Sequence, residues 1–253
     1  MERTSRHSLI KHLQAAAQRG APLGIAALGQ LGISAKLAAR YVEGGWLVRV
    51  AHGVYAFAGD QLTAHASIKF LQDQVTGLHV GGRSALTLQG VRHTLASREQ
   101  FVLWGEERFA VPEWFTSRFP ARYVSAKLFT WPKRSALKQT TLTNPPGVTT
   151  GLHVSVPERA ILELIYDVGK HHGVDDSHNV FENLRNLRKD VIGDLLACCN
   201  SVKTVRLFLA WARATQLVDV DAMQKQYELP VGSESRWISR LKDGTLLSLR
   251  PHG

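Results

Sequence analysis

Apolar residues recur at helical spacing through the first forty residues, give way to short alternating runs, and return to helical spacing after residue 155. Ser8 to Ala17 carries Leu9, Leu13 and Ala16/Ala17 on one face, and Pro22 to Leu28 predicts a second, shorter helix with proline in its first turn. Ile33, Leu37 and Tyr41 then recur every four residues around Ser34, which predicts an N-capped helix stopped by Gly44-Gly45. Its buried face is Ile33, Leu37, Ala38, Tyr41 and Val42, while Lys36, Arg40 and Glu43 project from the opposite side. The Gly32-Ile33 turn suits a sharp corner between the second and third helices. Two β-branched and aromatic runs, Trp46 to Val50 and Val54 to Phe57, flank Ala51-His52-Gly53 and predict a hairpin. Three helices followed by a hairpin is the order of a winged helix-turn-helix, expected over residues 1–60 and closed by Gly59-Asp60-Gln61.

The rest, residues 61–253, reads as one mixed domain. Thr63 to Gln74 predicts a connecting helix, and Leu78 to Val80, Gln100 to Trp104, Arg122 to Phe129, Thr140 to Thr143 and Val148 to Val154 predict strands. Asn144-Pro145-Pro146-Gly147 is a turn signal. Ser155 with Glu158 reads as a capping box, with Pro157 in the first turn of the helix that follows. Asn179 to Cys198 and Val202 to Thr215 predict two more helices, and the tail returns to short strands around Tyr227, Trp237 and Leu246 to Leu249. The expected class is α+β, with strands first and helices packed on them.

Charge adds a partner to this picture. The 253 residues carry a net charge of +10, and its distribution is uneven. Residues 1 to 60 hold seven Lys/Arg against three acids, residues 61 to 160 twelve against six, and residues 161 to 253 twelve against twelve. An excess confined to the first two segments points to a localised field for a polyanion. Within the second segment, residues 114–157 contain no Asp or Glu but hold Arg118, Arg122, Lys127, Lys133, Arg134 and Lys138. Trp114, Phe115, Phe119, Tyr123, Phe129 and Trp131 lie among them. Such interleaving suits phosphate contact with base stacking, as in RNA binding, or aromatics in a core beneath solvated cations.

In the first domain, Ser34, Lys36 and Arg40 are expected among the DNA-binding residues, the two cations at base edges or phosphates and Ser34 also as the cap of their helix. Arg49 and His52 are expected to hold the DNA backbone from the wing, with Arg3 and Arg6 adding tail contacts. No apolar run approaches eighteen residues and no apolar segment follows the N-terminal charges, so a cytoplasmic protein without membrane contact is expected. The neighbours Cys198 and Cys199 have no zinc spacing. The polar run His171 to His178 could supply metal ligands but reads more simply as a solvated loop. Gly81-Gly82-Arg83-Ser84 lacks the spacing and lysine of a P-loop, and tight packing or a turn is the simpler reading. Asp219-Val220-Asp221 reads as a helix cap. With no G-x-S-x-G, H-E-x-x-H or [DE]-x-K present, no catalytic residue, metal or cofactor is expected.

Four stretches together resemble the AbiEi family of type IV antitoxins: the N-terminal helices and wing, Val80 to Leu86 with Gly90, Ser155 to Glu163 reading SVPERAILE, and Leu195 to Leu209 reading LLACCNSVKTVRLFL. The His171 to His178 stretch does not map onto that pattern. The resemblance implies a winged helix that binds double-stranded DNA at its own operator, and a C-terminal domain that opposes a nucleotidyltransferase-like toxin. An RNA-binding protein, a general regulator and a nucleic-acid enzyme docking through its winged helix are the alternatives.

Overall fold

The computed structural model describes residues 6–91, 100–148, 151–241 and 244–251. The chain begins with α1 (Arg6–Ala16), β1 (Leu23–Gly24), α2 (Ile25–Gln30), α3 (Ala35–Glu43), β2 (Leu47–Ala51), β3 (Val54–Phe57) and α4 (Ala64–Gln72). The middle contains β4 (His79–Val80), α5 (Gly82–Leu88), β5 (Phe101–Gly105), α6 (Glu113–Thr116), β6 (Ala121–Ser125), α7 (Leu137–Thr140), β7 (Leu142–Thr143) and β8 (Val154–Ser155). Then come α8 (Pro157–Asp167), α9 (Val174–Glu182), α10 (Lys189–Ala197), α11 (Val202–Thr215), α12 (Val220–Gln226), β9 (Trp237–Arg240) and β10 (Leu246–Leu249). The α+β class expected from the pattern is the class observed.

Packing divides the chain into two units, residues 1–76 with 112–119 and 150–152, and residues 77–111 with 120–149 and 153–253. The first extends past the Gly59 turn through α4 and also takes in α6, whose Trp114 lies edge-on to Phe70 with centroids 6.0 Å apart. Its core is Ile10, Leu13, Leu23, Leu28, Ile33, Ala38, Tyr41, Leu47, Tyr55 and Phe57, all nearly inaccessible. Each of the buried leucine, isoleucine and phenylalanine side chains contributes about 1.5–3 kcal/mol of burial. One expectation changes here. Pro22 to Leu28 is not a single helix, because Leu23 and Gly24 pair with Tyr55 and Val54 as β1 and the helix starts only at Ile25. The sheet is therefore three-stranded, ordered β1-β3-β2.

The second unit is built on a five-stranded mixed sheet ordered β6-β5-β4-β8-β7. α5 and α8 pack on each other and against the sheet, and α8 also packs against α9, α10 and α11. Strands do precede most of the helices, but several local expectations give way to tertiary contacts. The strand expected over Arg122 to Phe129 ends at Ser125, and Phe129 instead bridges Cys199. The helix expected over Asn179 to Cys198 is two helices, because the buried Glu158 accepts the Arg188 N–H at 2.8 Å and its guanidinium as well. The expected His171 to His178 loop is helical from Val174, with Asp175 and Asp176 in the favoured first turn of α9. Tyr227 terminates α12 instead of entering a strand.

Candidate nucleic-acid interface

In α3, Ser34 Oγ accepts the Leu37 N–H at 3.3 Å, so this residue fixes the helix start and its role is capping. Gly44 and Gly45 end the helix, the latter at φ +72°. Ile33, Ala38 and Tyr41 are buried below, while Lys36, Arg40 and Glu43 are exposed above. Lys36 and Arg40, four residues apart, share one side of the helix, and neither joins an ion pair among the described residues. The opposite is true of Arg19, whose Nε donates to both Asp60 oxygens at 2.8 and 2.9 Å and whose guanidinium lies over Phe57.

The wing is β2 and β3, joined at a two-residue turn of His52 and Gly53. Gly53 has φ +70°, a conformation glycine adopts without the penalty a side chain incurs. The register shifts between Arg49 and Ala51, leaving Val50 as a bulge that twists the strand. Arg49 is exposed with its guanidinium 5.7 Å from the Tyr55 ring centroid, and His52 is exposed in the turn. Trp46 and Val48, each 44% exposed, lie at the start of the same wing and were not among the expected site residues. Their signal in the sequence was the alternation with buried Leu47. Arg6 opens α1, but its side chain and the whole of Arg3 lie outside the described residues.

The second expected surface is not assembled as the sequence suggested. Arg118 belongs to the first unit and donates to the Trp114 carbonyl at 2.7 Å. Arg122 is ion-paired with the buried Asp167 and lies 3.0 Å from His172 Nε2. Lys138 pairs with Glu106 at 2.9 Å. Lys127, Lys133 and Arg134 remain exposed, without an ion pair among the described residues. Trp114, Phe115 and Phe129 are buried, and the Tyr123 hydroxyl and Trp131 Nε1 donate to Glu107 O and Glu106 Oε1. Most of these aromatics form core and anchoring contacts, which leaves few rings open for base stacking.

Where Gly81-Gly82 suggested a possible phosphate cradle, a carboxylate of the chain itself occupies the position. Glu163 Oε2 accepts the Gly82 N–H at 2.9 Å, and the same carboxylate accepts Ser155 Oγ and Arg159 Nε–H at 2.9 Å each, with His79 Nε2 also 2.9 Å away. A Cβ on Gly81 would stand 2.3 Å from Glu163 Oε2 and 2.6 Å from Trp104, which is why glycine is needed there. Ser155 is therefore a tertiary donor and not the N-cap of a capping box; Val156 holds the N-cap position. Burial alone would raise the Glu163 carboxyl, but its surrounding donors and the Arg159 charge more than offset this and hold it low. His79 is pushed down by burial and by Arg159.

Other candidate chemistry resolves similarly. His171 faces Asp167, His172 faces Arg122, and His178 faces Glu182 and the edge of Trp211, so the three imidazoles have separate partners. Among the described residues, no three His, Cys, Asp or Glu side chains are grouped to hold a metal ion. Burial pushes the thiols of Cys198 and Cys199 up to about 11 and about 12, which keeps them protonated and poorly nucleophilic. Asp219 Oδ1 accepts the Ala222 N–H at 2.9 Å as the cap of α12. No helix among the described residues is long and apolar enough to cross a membrane.

The comparisons with known proteins agree with this architecture. Residues 6–97 match a family profile described as the N-terminal domain of the AbiEi antitoxin, a transcriptional regulator. Residues 98–249 match the profile described as transcriptional regulator, AbiEi antitoxin, type IV toxin–antitoxin system. No curated protein matches the sequence significantly. The crystal structure of the RV2827C protein from Mycobacterium tuberculosis is similar in fold, with a TM-score of 0.57 and 14% identity over 91% of this chain and 87% of that one. The chain belongs to the AbiEi family of transcriptional regulators, antitoxins of type IV toxin–antitoxin systems.

Proposed function

We propose that the protein represses its own operon by binding double-stranded DNA through α3 and the wing, and that its second unit opposes a nucleotidyltransferase-like toxin. The observation that carries the DNA reading is the pairing of unneutralised Lys36 and Arg40 on a capped helix with Arg49 and His52 on the adjoining hairpin. In this reading Lys36 and Arg40 reach base edges or phosphates in the major groove, and Arg49 and His52 grip the backbone beside it. Arg3 and Arg6 add contacts from the N-terminal segment. The test is an electrophoretic mobility shift with the duplex upstream of the gene. A shift is expected at low salt and is expected to be lost or weakened roughly tenfold or more in an R40A/R49A variant, two phosphate or base contacts fewer. An absent shift, or an unchanged one in the variant, rejects the reading.

The antitoxin part rests on the family. Co-expression with the adjacent toxin gene is expected to restore growth that the toxin alone arrests, and failure to do so rejects this part independently. The toxin-opposing role is assigned to the second unit because the first is accounted for by DNA.

A further inference from the structure

The first unit contains a cavity of about 760 Å³ between α2, the wing turn and α4. Small-molecule sites span roughly 300–1,000 Å³, so this one has room for a whole ligand. Pro22, Ile25, Val54, Ala66 and Phe70 give it an apolar interior. The Phe70 ring lies directly against the bare Cα of Gly24, where a Cβ would stand 3.0 Å from Cε2. A glycine in β1 is therefore what lets an aromatic ring form one wall. The same ring is held edge-on to Trp114, with centroids 6.0 Å apart.

The polar groups of the cavity are few and of one kind. Gln18, Gln30 and Gln74 line it and are exposed, and among the described residues their side-chain amides have no hydrogen-bond partner. Lys69 and Asp73 are its only Lys, Arg, Asp or Glu residues, and they pair with each other. An ionic ligand thus finds no uncompensated charge, and a purely aliphatic one makes no use of the amides. A flat heteroaromatic ring suits both, with its faces against Phe70 and the aliphatic walls and its edge against amides that both donate and accept. Walls from three elements favour a compact molecule over an extended peptide.

We infer that this cavity binds a small, uncharged heteroaromatic molecule of the nucleobase or nucleoside class, and that its occupant acts on the wing. His52 and Gly53 of the wing turn line the same cavity, and the Gly53 carbonyl accepts the Ile25 N–H at 2.9 Å, which ties α2 to the turn. The action on the wing rests on the DNA-binding reading above. A His52 engaged by the occupant is withdrawn from phosphate, so each ligand weakens the other by the same factor.

The probe for the test is 2-aminopurine, an uncharged fluorescent nucleobase analogue, titrated into the full chain and followed by amide NMR spectra. Saturable shifts are expected at Gln18, Gln30, Gln74 and Gly53. The Q18A/Q30A/Q74A variant, altered only at exposed positions, is expected to bind roughly tenfold more weakly or worse. A27W, which adds an indole to the lining, is expected to bind no probe. The absence of a saturable shift at millimolar probe, shifts confined to residues elsewhere, or parental affinity in the glutamine triple would each overturn the site. Mobility shifts with the upstream duplex then test the action on the wing. Saturating probe is expected to weaken the parent's DNA complex about fivefold or more and to leave that of the glutamine triple unchanged. A probe that binds the parent yet leaves its DNA affinity unchanged or tighter overturns the action on the wing, while the winged-helix reading stands. If the parent shifts no duplex without probe, the winged-helix reading fails, the action on the wing falls with it, and the titration alone decides the cavity.

Discussion

Glu163 shows how much can depend on one buried carboxylate. Four groups point at it, and removing its charge leaves Arg159, 7% exposed at the side chain, without its ion partner. Breaking a buried pair in this way costs about 3–5 kcal/mol, so Glu163→Gln is expected to lower the urea midpoint sharply. Gly81→Ala perturbs the same centre sterically and is expected to cost about 1–3 kcal/mol or more, since the clash is with a carboxylate and an indole that are both packed. An unchanged midpoint in either variant would show that the cluster relaxes around the loss. The sequence displayed Ser155 and Glu158 at capping-box spacing, yet both side chains serve distant partners. A four-residue pattern cannot distinguish a local hydrogen bond from a tertiary one, because the same donors and acceptors suit both. The glycine pair, by contrast, was legible as a site of close packing, although its occupant, Glu163, lies some eighty residues away.

At the scale of elements, α3 and the wing were readable because everything that specifies them is local: an oxygen at Ser34, a four-residue apolar period, and glycines where φ turns positive. Ser34→Ala is accordingly expected to cost about 1 kcal/mol, and Gly53→Ala about 1 kcal/mol through strain at φ +70°. Thermal or urea unfolding of the two variants reads both values; a Gly53→Ala protein as stable as the parent would mean that the wing turn can rearrange. β1 was invisible because two residues cannot display a period, and what makes them a strand is pairing with Val54 and Tyr55. The break between α9 and α10 was hidden for a related reason. Leu184 and Leu187 continue a helical period, but the Arg188 backbone N–H is captured by Glu158.

For the whole molecule, the charge tally pointed towards a polyanion partner and misplaced part of the available charge. The excess in residues 61–160 includes Arg122 and Lys138, which the fold neutralises with Asp167 and Glu106. The neutral final third leaves Arg236, Arg240 and Arg250 exposed and without an ion pair among the described residues. A sum over a segment records how many charges exist, whereas binding depends on which of them folding leaves unpaired. Acid sensitivity follows from the same pairing. Burial and the nearby Arg83 and Arg122 push His172 down to about 4. Between pH 6.5 and about 4 the unfolded chain takes up a proton at this position while the folded chain does not, so the folded state loses stability as the pH falls. The loss is about 2 kcal/mol after allowing for partial exposure. Urea midpoints at pH 7.5 and 5 should therefore differ less in His172→Gln than in the parent, and equal differences would remove His172 from the account. Arg206 of α11, 1% exposed, carries a consequence for chain length, since its guanidinium donates to the carbonyls of Val231, Ser233, Ser235 and Leu249. A protein ending before Val231 would lose all four carbonyls that receive the protons of this guanidinium, together with the segment that covers it on α11. Loss of some twenty C-terminal residues is then a lesion of α11 as much as of β9 and β10. A premature stop there should yield insoluble or rapidly degraded protein, not a shortened but folded chain.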